Sequence, residues 1–247
     1  MWRWPVVAWR KATQDAARGK VFAVHAKLIA VAARAGGNPD DNPWLREAIE
    51  KARKDSVPKD VIDRAIKRWT GEDKDASEIV EVLYEGYGAG WVAVIAKWLT
   101  DNKNRTAASI RSAFSKNGGN LWETGSISTH MFELRGVVEV EGSGDELEMT
   151  IMESGADDYE MQEWGVRVFT SRDTLSSTKD FLAGEGYEIA NFWLEYIPNM
   201  ENDVTDFDQA LKLVKLLEDL GADEDVEKVW TNGVMEEELQ QKVGEFI

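Results

Sequence analysis

Basic side chains near the start of the chain are the residues best suited to chemistry. Six cations and a single acid, Asp15, fall between positions 10 and 34, and the cations are Arg10, Lys11, Arg18, Lys20, Lys27 and Arg34. At this density on a helix, Lys and Arg neutralise phosphates and add a salt-sensitive affinity that is independent of nucleotide sequence. No helix-turn-helix, zinc-finger or aromatic RNA-binding motif accompanies them. The pattern predicts binding to a polyanion and does not indicate whether the protein recognises a particular nucleotide sequence.

A second polar run occupies residues 100–106. Asn and Asp side chains in such a run cap the helix that follows and form local turns. Capping does not require the cations, so we expect a basic loop here that makes a second contact. Its members are Asp101, Asn102, Lys103, Asn104 and Arg105, joined by Lys116.

Catalytic and metal-binding patterns are absent from the sequence. The two histidines, His25 and His130, lie far apart without a ligand cluster, and there is no cysteine. The glycine-rich residues 86–90 lack the Lys-Ser/Thr ending of a phosphate-binding loop and join two strands, which favours a structural turn. We expect His25 to be an interhelical or surface residue. The sequence predicts no enzyme, no catalytic or metal site, no cofactor and no small-molecule substrate.

Charge divides the 247 residues into two parts. Residues 1–70 hold 15 Lys/Arg and 8 Asp/Glu, a net +7, whereas residues 71–247 hold 14 and 38, a net −24. Such a distribution predicts that only the N-terminal part approaches a polyanion. The longest apolar stretch ends at Lys97, far short of a membrane span, and no secretory signal opens the chain. We therefore expect a cytoplasmic protein with no membrane partner.

The hydrophobic periodicity predicts an α+β fold. Helical spacing runs over residues 6–35, as one helix or two broken at Gly19, and Asn42 and Pro43 are typical of the start of the next helix. Alternating patterns then predict strands at 79–85, 92–96 and 126–132, with a helix over 106–116 between the last two. A strand-and-helix series from 136 to 196 resembles a ferredoxin-like module.

Three domains follow from this order of elements. We expect a basic helical domain over 1–76, an α+β middle domain formed by 77–133 and 204–247, and an inserted ferredoxin-like α+β domain over 134–203. The middle domain is discontinuous because the last helix and strand cannot form a core alone and must pack against residues 78–133.

Ordered motifs run through most of the chain. They include Gln14-Asp15-Ala16-x-Arg18-Gly19-Lys20, Pro58-Lys59-Asp60, Tyr84-Glu85-Gly86-Tyr87-Gly88, Asp101-Asn102-Lys103-Asn104-Arg105-Thr106 and Phe114-Ser115-Lys116-x-Gly118-Gly119-Asn120. Together they resemble the YebC/PmpR family, whose mitochondrial relatives include a translational activator of a cytochrome oxidase subunit. The resemblance implies three domains and a DNA-binding transcriptional regulator without enzymatic activity. The alternative is a ribosome-associated translation factor that uses the same cations on ribosomal RNA. A third interpretation is that the protein is an acidic scaffold that recruits a basic protein.

Tryptophan is unusually abundant, with 11 residues. Trp69, Trp91 and Trp122 stand where the family pattern has glycine, and the family's usual Gly-His-Ser-Lys-Trp opening is replaced here. One hypothesis is that some of these tryptophans are glycines whose codon is read under a different genetic code. The alternative is a lineage that tolerates Trp at these positions.

Overall fold

A computed structural model describes residues 14–68 and 78–246, with side chains from residue 19 onward. Its α-helices are α1 (Gln14–Ala32), α2 (Pro43–Lys54), α3 (Lys59–Lys67), α4 (Lys103–Lys116), α5 (Ser128–Met131), α6 (Asp145–Glu153), α7 (Leu175–Gly184), α8 (Phe207–Ala222) and α9 (Glu237–Gly244). Its strands are β1 (Val80–Tyr87), β2 (Ala93–Thr100), β3 (Asn120–Trp122), β4 (Phe132–Glu141), β5 (Asp158–Gln162), β6 (Gly165–Ser171), β7 (Ile189–Pro198), β8 (Asn202–Asp203), β9 (Val226–Thr231) and β10 (Gly233–Val234). The α+β class predicted from the sequence is confirmed.

Two compact units make up the fold. Of the described residues, those up to Ile127 and from Glu201 onward form unit 1, and Ser128–Met200 form unit 2. The division into three domains at residues 76, 133 and 203 stays a prediction.

Helices α1 to α3 form a small core within unit 1. Ile29, Leu45, Ile49 and Ile62 are buried in it. Asn42 caps α2 as predicted, since its side chain accepts a hydrogen bond from the Leu45 amide at 3.2 Å. Helix α1 continues through Gly19 as one helix. Apolar spacing and a capping residue thus suffice to explain the arrangement.

A four-stranded antiparallel sheet with the order β3-β1-β2-β9 forms the rest of unit 1. Helices α4 and α8 pack against it through Phe114, Leu213 and Leu217, among others. Strand β9 pairs with β2, so the tail packs against residues 78–133 as expected. Helix α1 reaches the same sheet, because Ala30 is buried with Ile79 and Leu99. Helix α1 thus packs against this sheet.

After α5, unit 2 has the element order β4-α6-β5-β6-α7-β7 and an antiparallel sheet ordered β5-β6-β4-β7. This is the order of the ferredoxin-like motif. Strands β5 and β7 lie at the two edges of the sheet. Val138, Val166 and Val168 pack with Leu147 and Leu182 of the two helices on one face.

The strand predicted over residues 126–132 is wrong. Residues Ser128–Met131 form α5, and the strand begins only at Phe132. The Glu85 carboxylate accepts hydrogen bonds from the Gly125 and Ile127 amides at 2.8 Å, which holds the chain in a turn before α5. A tertiary contact therefore overrides the local alternation of polar and apolar residues.

Candidate nucleic-acid interface

Three of the predicted cations are engaged within unit 1. Lys20, Lys27 and Arg34 are spaced seven residues apart along the helical segment, so they lie near one face. Lys20 Nζ donates to the Gly221 carbonyl in the last turn of α8. That turn carries the negative end of the helix dipole, which favours a cation. The ammonium of Lys20 is thereby directed at the protein itself.

Lys27 contacts the segment that follows α8. Its Nζ donates to Asp225 Oδ1 at 2.6 Å and to the Glu224 carbonyl at 2.9 Å. Its side chain is 19% exposed and that of Asp225 is 14% exposed. Lys27 therefore joins α1 to the turn between α8 and β9.

Arg34 continues this line of contacts at the other end of α1. Its Nη2 donates to the Ile79 carbonyl and lies 2.7 Å from Glu78 Oε1. We call the contacts of Lys20, Lys27 and Arg34 with residues 78–79 and 221–225 the charged seam. Whether these cations also bind phosphate stays a prediction.

Asp225 is the centre of the charged seam. Its second carboxylate oxygen accepts from Arg105 Nη2 at 3.0 Å and from Thr100 Oγ1 at 3.3 Å. Partial burial acts to raise the pKa of Asp225, but the hydrogen bonds and charges of Lys27 and Arg105 outweigh burial and lower it. Desolvation lowers the pKa of Lys20 to about 8, against the attraction of Asp223. The charged form of Asp225 is thus stabilised by its partners, whereas burial destabilises the Lys20 ammonium relative to a solvent-exposed one.

The second predicted site begins a helix instead of forming a loop. Lys103–Lys116 form α4, and the Asn102 side chain caps it by accepting from the Arg105 amide at 3.0 Å. Arg105 also lies 3.1 Å from Asp101 Oδ1. The capping role of the run is confirmed, and the expectation of a loop over residues 103–106 is wrong because Asn102 starts the helix there.

The remaining members of this run face solvent. Lys103 and Asn104 are exposed, and so is Lys116, which lies 3.3 Å from Asp219 Oδ2. The structure therefore separates the run into two groups: Asp101, Asn102 and Arg105 engage neighbouring residues, and Lys103 and Asn104 are presented at the surface.

Further cations lie on α2 and α3, outside the set of residues predicted to bind nucleic acid. Arg46 and Arg53 are exposed and lie seven residues apart on α2, and Lys59 is exposed at the start of α3. Arg64 is exposed too and pairs with Asp60 at 2.8 Å. The signal was present in the sequence, since Arg46 and Arg53 flank the apolar stripe of Leu45 and Ile49 on α2. Exposed carboxylates lie among these cations, so the exposed surface of α2 and α3, which we call the basic face, has a small excess of positive charge; the carboxylates are Glu50, Asp55, Asp60 and Asp63.

The side chains of four residues named from the sequence lie outside the described part of the structure. Arg10, Lys11 and Trp69 lie outside the described residues, and for Arg18 only the backbone of α1 is described.

Two family models match the chain. One, described as the TACO1/YebC protein N-terminal domain, matches residues 2–72, and the other, described as the TACO1/YebC second and third domain, matches residues 79–233. The chain belongs to the TACO1/YebC family. The resemblance noted from the motifs is confirmed.

Relatives within the TACO1/YebC family align along almost the whole chain. A protein of Trichodesmium erythraeum is 43% identical over 93% of this chain and 93% of its own length. One of Gloeothece citriformis is 43% identical over 96% of both. Each is named a probable transcriptional regulatory protein, a name that describes a regulator and not an enzyme. A crystal structure of a conserved hypothetical protein from Aquifex aeolicus shares 38% identity and a TM-score of 0.83, covering 95% of this chain and 97% of that one.

His25 lies between two helices of this TACO1/YebC protein, as predicted. Its Nε2 lies 2.5 Å from Asp55 Oδ2 at the end of α2. In the part of the chain that the structure describes, no group of three or more His, Cys, Asp and Glu residues could hold a metal ion. No helix there is long and apolar enough to cross a membrane.

Trp91 has a backbone conformation that favours glycine. Its φ is 60°, directly after Gly90 at 72°, and its side chain is 73% exposed. A bulky residue at positive φ is a conformational outlier. Trp122 lies in β3 and has no positive φ. The structure therefore distinguishes the two positions, and the glycine hypothesis gains a physical argument at Trp91.

Proposed function

We propose that this chain is a non-enzymatic transcriptional regulator that acts in the cytoplasm by binding double-stranded DNA through its basic N-terminal part. The names of its relatives supply the regulatory role. The observation that carries DNA binding is the exposed basic face of α2 and α3, within the N-terminal segment that has a net charge of +7. The rest of the chain has a net charge of −24 and would be repelled by a polyanion.

The cations divide into two roles in this proposal. Arg46, Arg53 and Lys59 contact phosphates together with the predicted cations Arg10, Lys11 and Arg18. Lys103, Asn104 and Lys116 supply a second contact. Lys20, Lys27 and Arg34 position α1 on its unit through the charged seam, and Arg105 holds Asp225 of that seam, since the charged ends of all four already face acceptors of the chain.

Binding of this kind is dominated by phosphate contacts. Each neutralised phosphate contributes about 0.9 to the slope of log affinity against log salt concentration on B-form DNA. No groove-reading motif accompanies the basic face, so we expect affinity to vary little among duplex sequences and steeply with salt.

A salt titration of DNA binding tests this proposal. Fluorescence anisotropy with a 20-base-pair duplex would compare the wild type with Arg46→Gln/Arg53→Gln. The matched control is Lys212→Gln/Lys215→Gln, which removes two exposed cations of α8 from the acidic part. We expect the α2 pair to lower the slope by about 2 and the α8 pair to leave it unchanged. Equal effects of both pairs would contradict the assignment.

The same titration with an RNA hairpin addresses the translation reading. Tighter binding to the hairpin than to the duplex at equal salt, lost in Arg46→Gln/Arg53→Gln, would replace DNA by structured RNA as the target. The basic face would then still bind phosphates, but the protein would act in translation instead of transcription.

A further inference from the structure

Unit 2 is strongly acidic. Ser128–Met200 hold 16 Asp/Glu and 4 Lys/Arg, a net charge of −12 in 73 residues. A nucleic acid or an anionic membrane surface would be repelled by this charge, whereas a basic partner would be attracted. Charge alone does not select a surface on the unit.

Three exposed methionines lie on helix α6 and strand β5 of unit 2. Met149 is 57% exposed, Met152 64% and Met161 47%. Met149 and Met152 lie three residues apart on α6 and are therefore neighbours on the helix. Methionine side chains are adaptable and recur on surfaces that bind varied partners.

Helix α6 and strand β5 are adjacent. The hydroxyl of Tyr159 in β5 donates to Glu148 Oε2 in α6 at 2.7 Å. Met161 lies two residues after Tyr159 and is thus on the same face of the strand. We call Met149, Met152, Tyr159 and Met161 the edge patch.

The strand in the edge patch can accept another strand. Among the described strands, β5 pairs with β6 only, so its outer side has no neighbouring strand. Asp158, Glu160 and Met161 are exposed along it. An unpaired edge offers amides and carbonyls to an extended peptide, and side-chain pockets beside it give selectivity.

We propose that the edge patch binds an extended basic segment of a partner protein, which adds to β5 as a further strand. Alternating apolar residues of the segment would contact Met152 and Met161, and its alternating Lys or Arg residues would face Asp158 and Glu160. The segment is thus recognised by backbone pairing, charge and apolar contact together. This inference is independent of DNA binding by the basic face of unit 1.

Peptide binding tests this surface. The probe is an acetylated eight-residue peptide of alternating Lys and Val, measured by anisotropy on the full chain. Two controls keep its size: one replaces Lys by Glu, and the other carries N-methyl groups on all internal amides, which then cannot donate hydrogen bonds. We expect both controls to bind at least about tenfold more weakly than the probe.

Protein variants separate the edge patch from general charge attraction. Met149→Ser/Met152→Ser/Met161→Ser leaves the net charge unchanged and should weaken binding about tenfold. Met200→Ser, at a methionine of the same unit that is 71% exposed, should bind as the wild type does. Circular dichroism checks that each variant is folded. Hydrogen exchange of residues 158–162 should slow when the probe is added.

Two results would overturn the proposal. Unchanged affinity in the triple variant would mean that the acidic surface attracts the peptide without the edge patch. Equal binding of the N-methylated peptide would exclude strand addition. Neither result bears on the DNA titration, so the two proposals can fail separately.

Discussion

Replacing Asp225 by Asn should weaken the attachment of α1 to the sheet of its unit. The substitution keeps the size of the side chain and removes its charge. Lys27 then loses its charged acceptor at 2.6 Å, and Arg105 loses its charged acceptor at 3.0 Å, because the single oxygen of the uncharged amide can accept from only one of them. The second loss costs little, since the Arg105 side chain is 59% exposed and water replaces the contact.

Burial sets the size of the effect at Lys27. Exposed ion pairs contribute about 0 to 1 kcal/mol, and removing one partner of a fully buried pair costs about 3 to 5 kcal/mol. With 19% and 14% of the two side chains exposed, the pair lies between these limits. We expect Asp225→Asn to lower the free energy of unfolding by about 2 kcal/mol. Lys27→Met should cost less, because Arg105 continues to balance the carboxylate.

Urea unfolding followed by circular dichroism measures these values, and a double-mutant cycle isolates the pair. The coupling between Lys27→Met and Asp225→Asn should be about 1 to 2 kcal/mol. Glu224→Gln is the matched control, since it neutralises the adjacent exposed carboxylate and should change stability by less than about 0.5 kcal/mol. Hydrogen exchange in α1 should quicken in Asp225→Asn and not in the control.

The pH dependence gives an independent check. The folded-state pKa of Asp225 is lowered, so its contribution is present above its unfolded pKa of about 3.9 and is lost as the pH falls through the lower folded value. The stability difference between wild type and Asp225→Asn should therefore shrink below about pH 4. A coupling below about 0.3 kcal/mol, or a difference that stays constant down to pH 2, would refute the structural role assigned to this pair.

Three further changes test other parts of unit 1. Glu85→Gln should cost about 1 to 3 kcal/mol in urea unfolding, because the fully buried carboxylate accepts two amides and an NH₂ group would face one of them; an unchanged midpoint would contradict this. Lys20→Met should abolish a rise in stability between about pH 8 and 10.5, since the lowered folded-state pKa makes the unfolded state bind more protons there; a rise of equal size in the variant would assign it to another group. Trp91→Gly should be about 1 kcal/mol more stable than Trp91→Ala, because Ala keeps a side chain at positive φ while both variants lack the ring contact with Tyr87. Equal stabilities of the two variants would show that the backbone is not strained at this position. The intact mass of the protein from its native source decides whether residue 91 is glycine.

The sequence predicts elements well where periodicity and local packing agree. The strands predicted at 79–85 and 92–96 overlap β1 (Val80–Tyr87) and β2 (Ala93–Thr100), and the helix predicted over 106–116 ends with α4 at Lys116. Strand β5 (Asp158–Gln162) gives little signal in the sequence, since it is an exposed acidic edge with little apolar alternation. Helix α5 was mistaken for a strand because Glu85, some 40 residues earlier in the chain, determines the turn before it.

The candidate interface shows a different limit of sequence reasoning. A Lys that holds the fold and a Lys that binds phosphate look alike in a sequence, because both lie on a polar helix face. What separates Lys27 from Arg46 is the position of an acceptor, Asp225, which lies 198 residues from Lys27 in the chain.

This difference decides which variants are informative about DNA binding. Weakened binding in Lys27→Gln would not by itself demonstrate a phosphate contact, because the same change disturbs the charged seam and the position of α1. Arg46 and Arg53 are exposed on α2, so a change there alters surface charge with little effect on stability. The phosphate contacts should therefore be mapped from α2 and α3 first, and from α1 only in variants whose unfolding free energy equals that of the wild type.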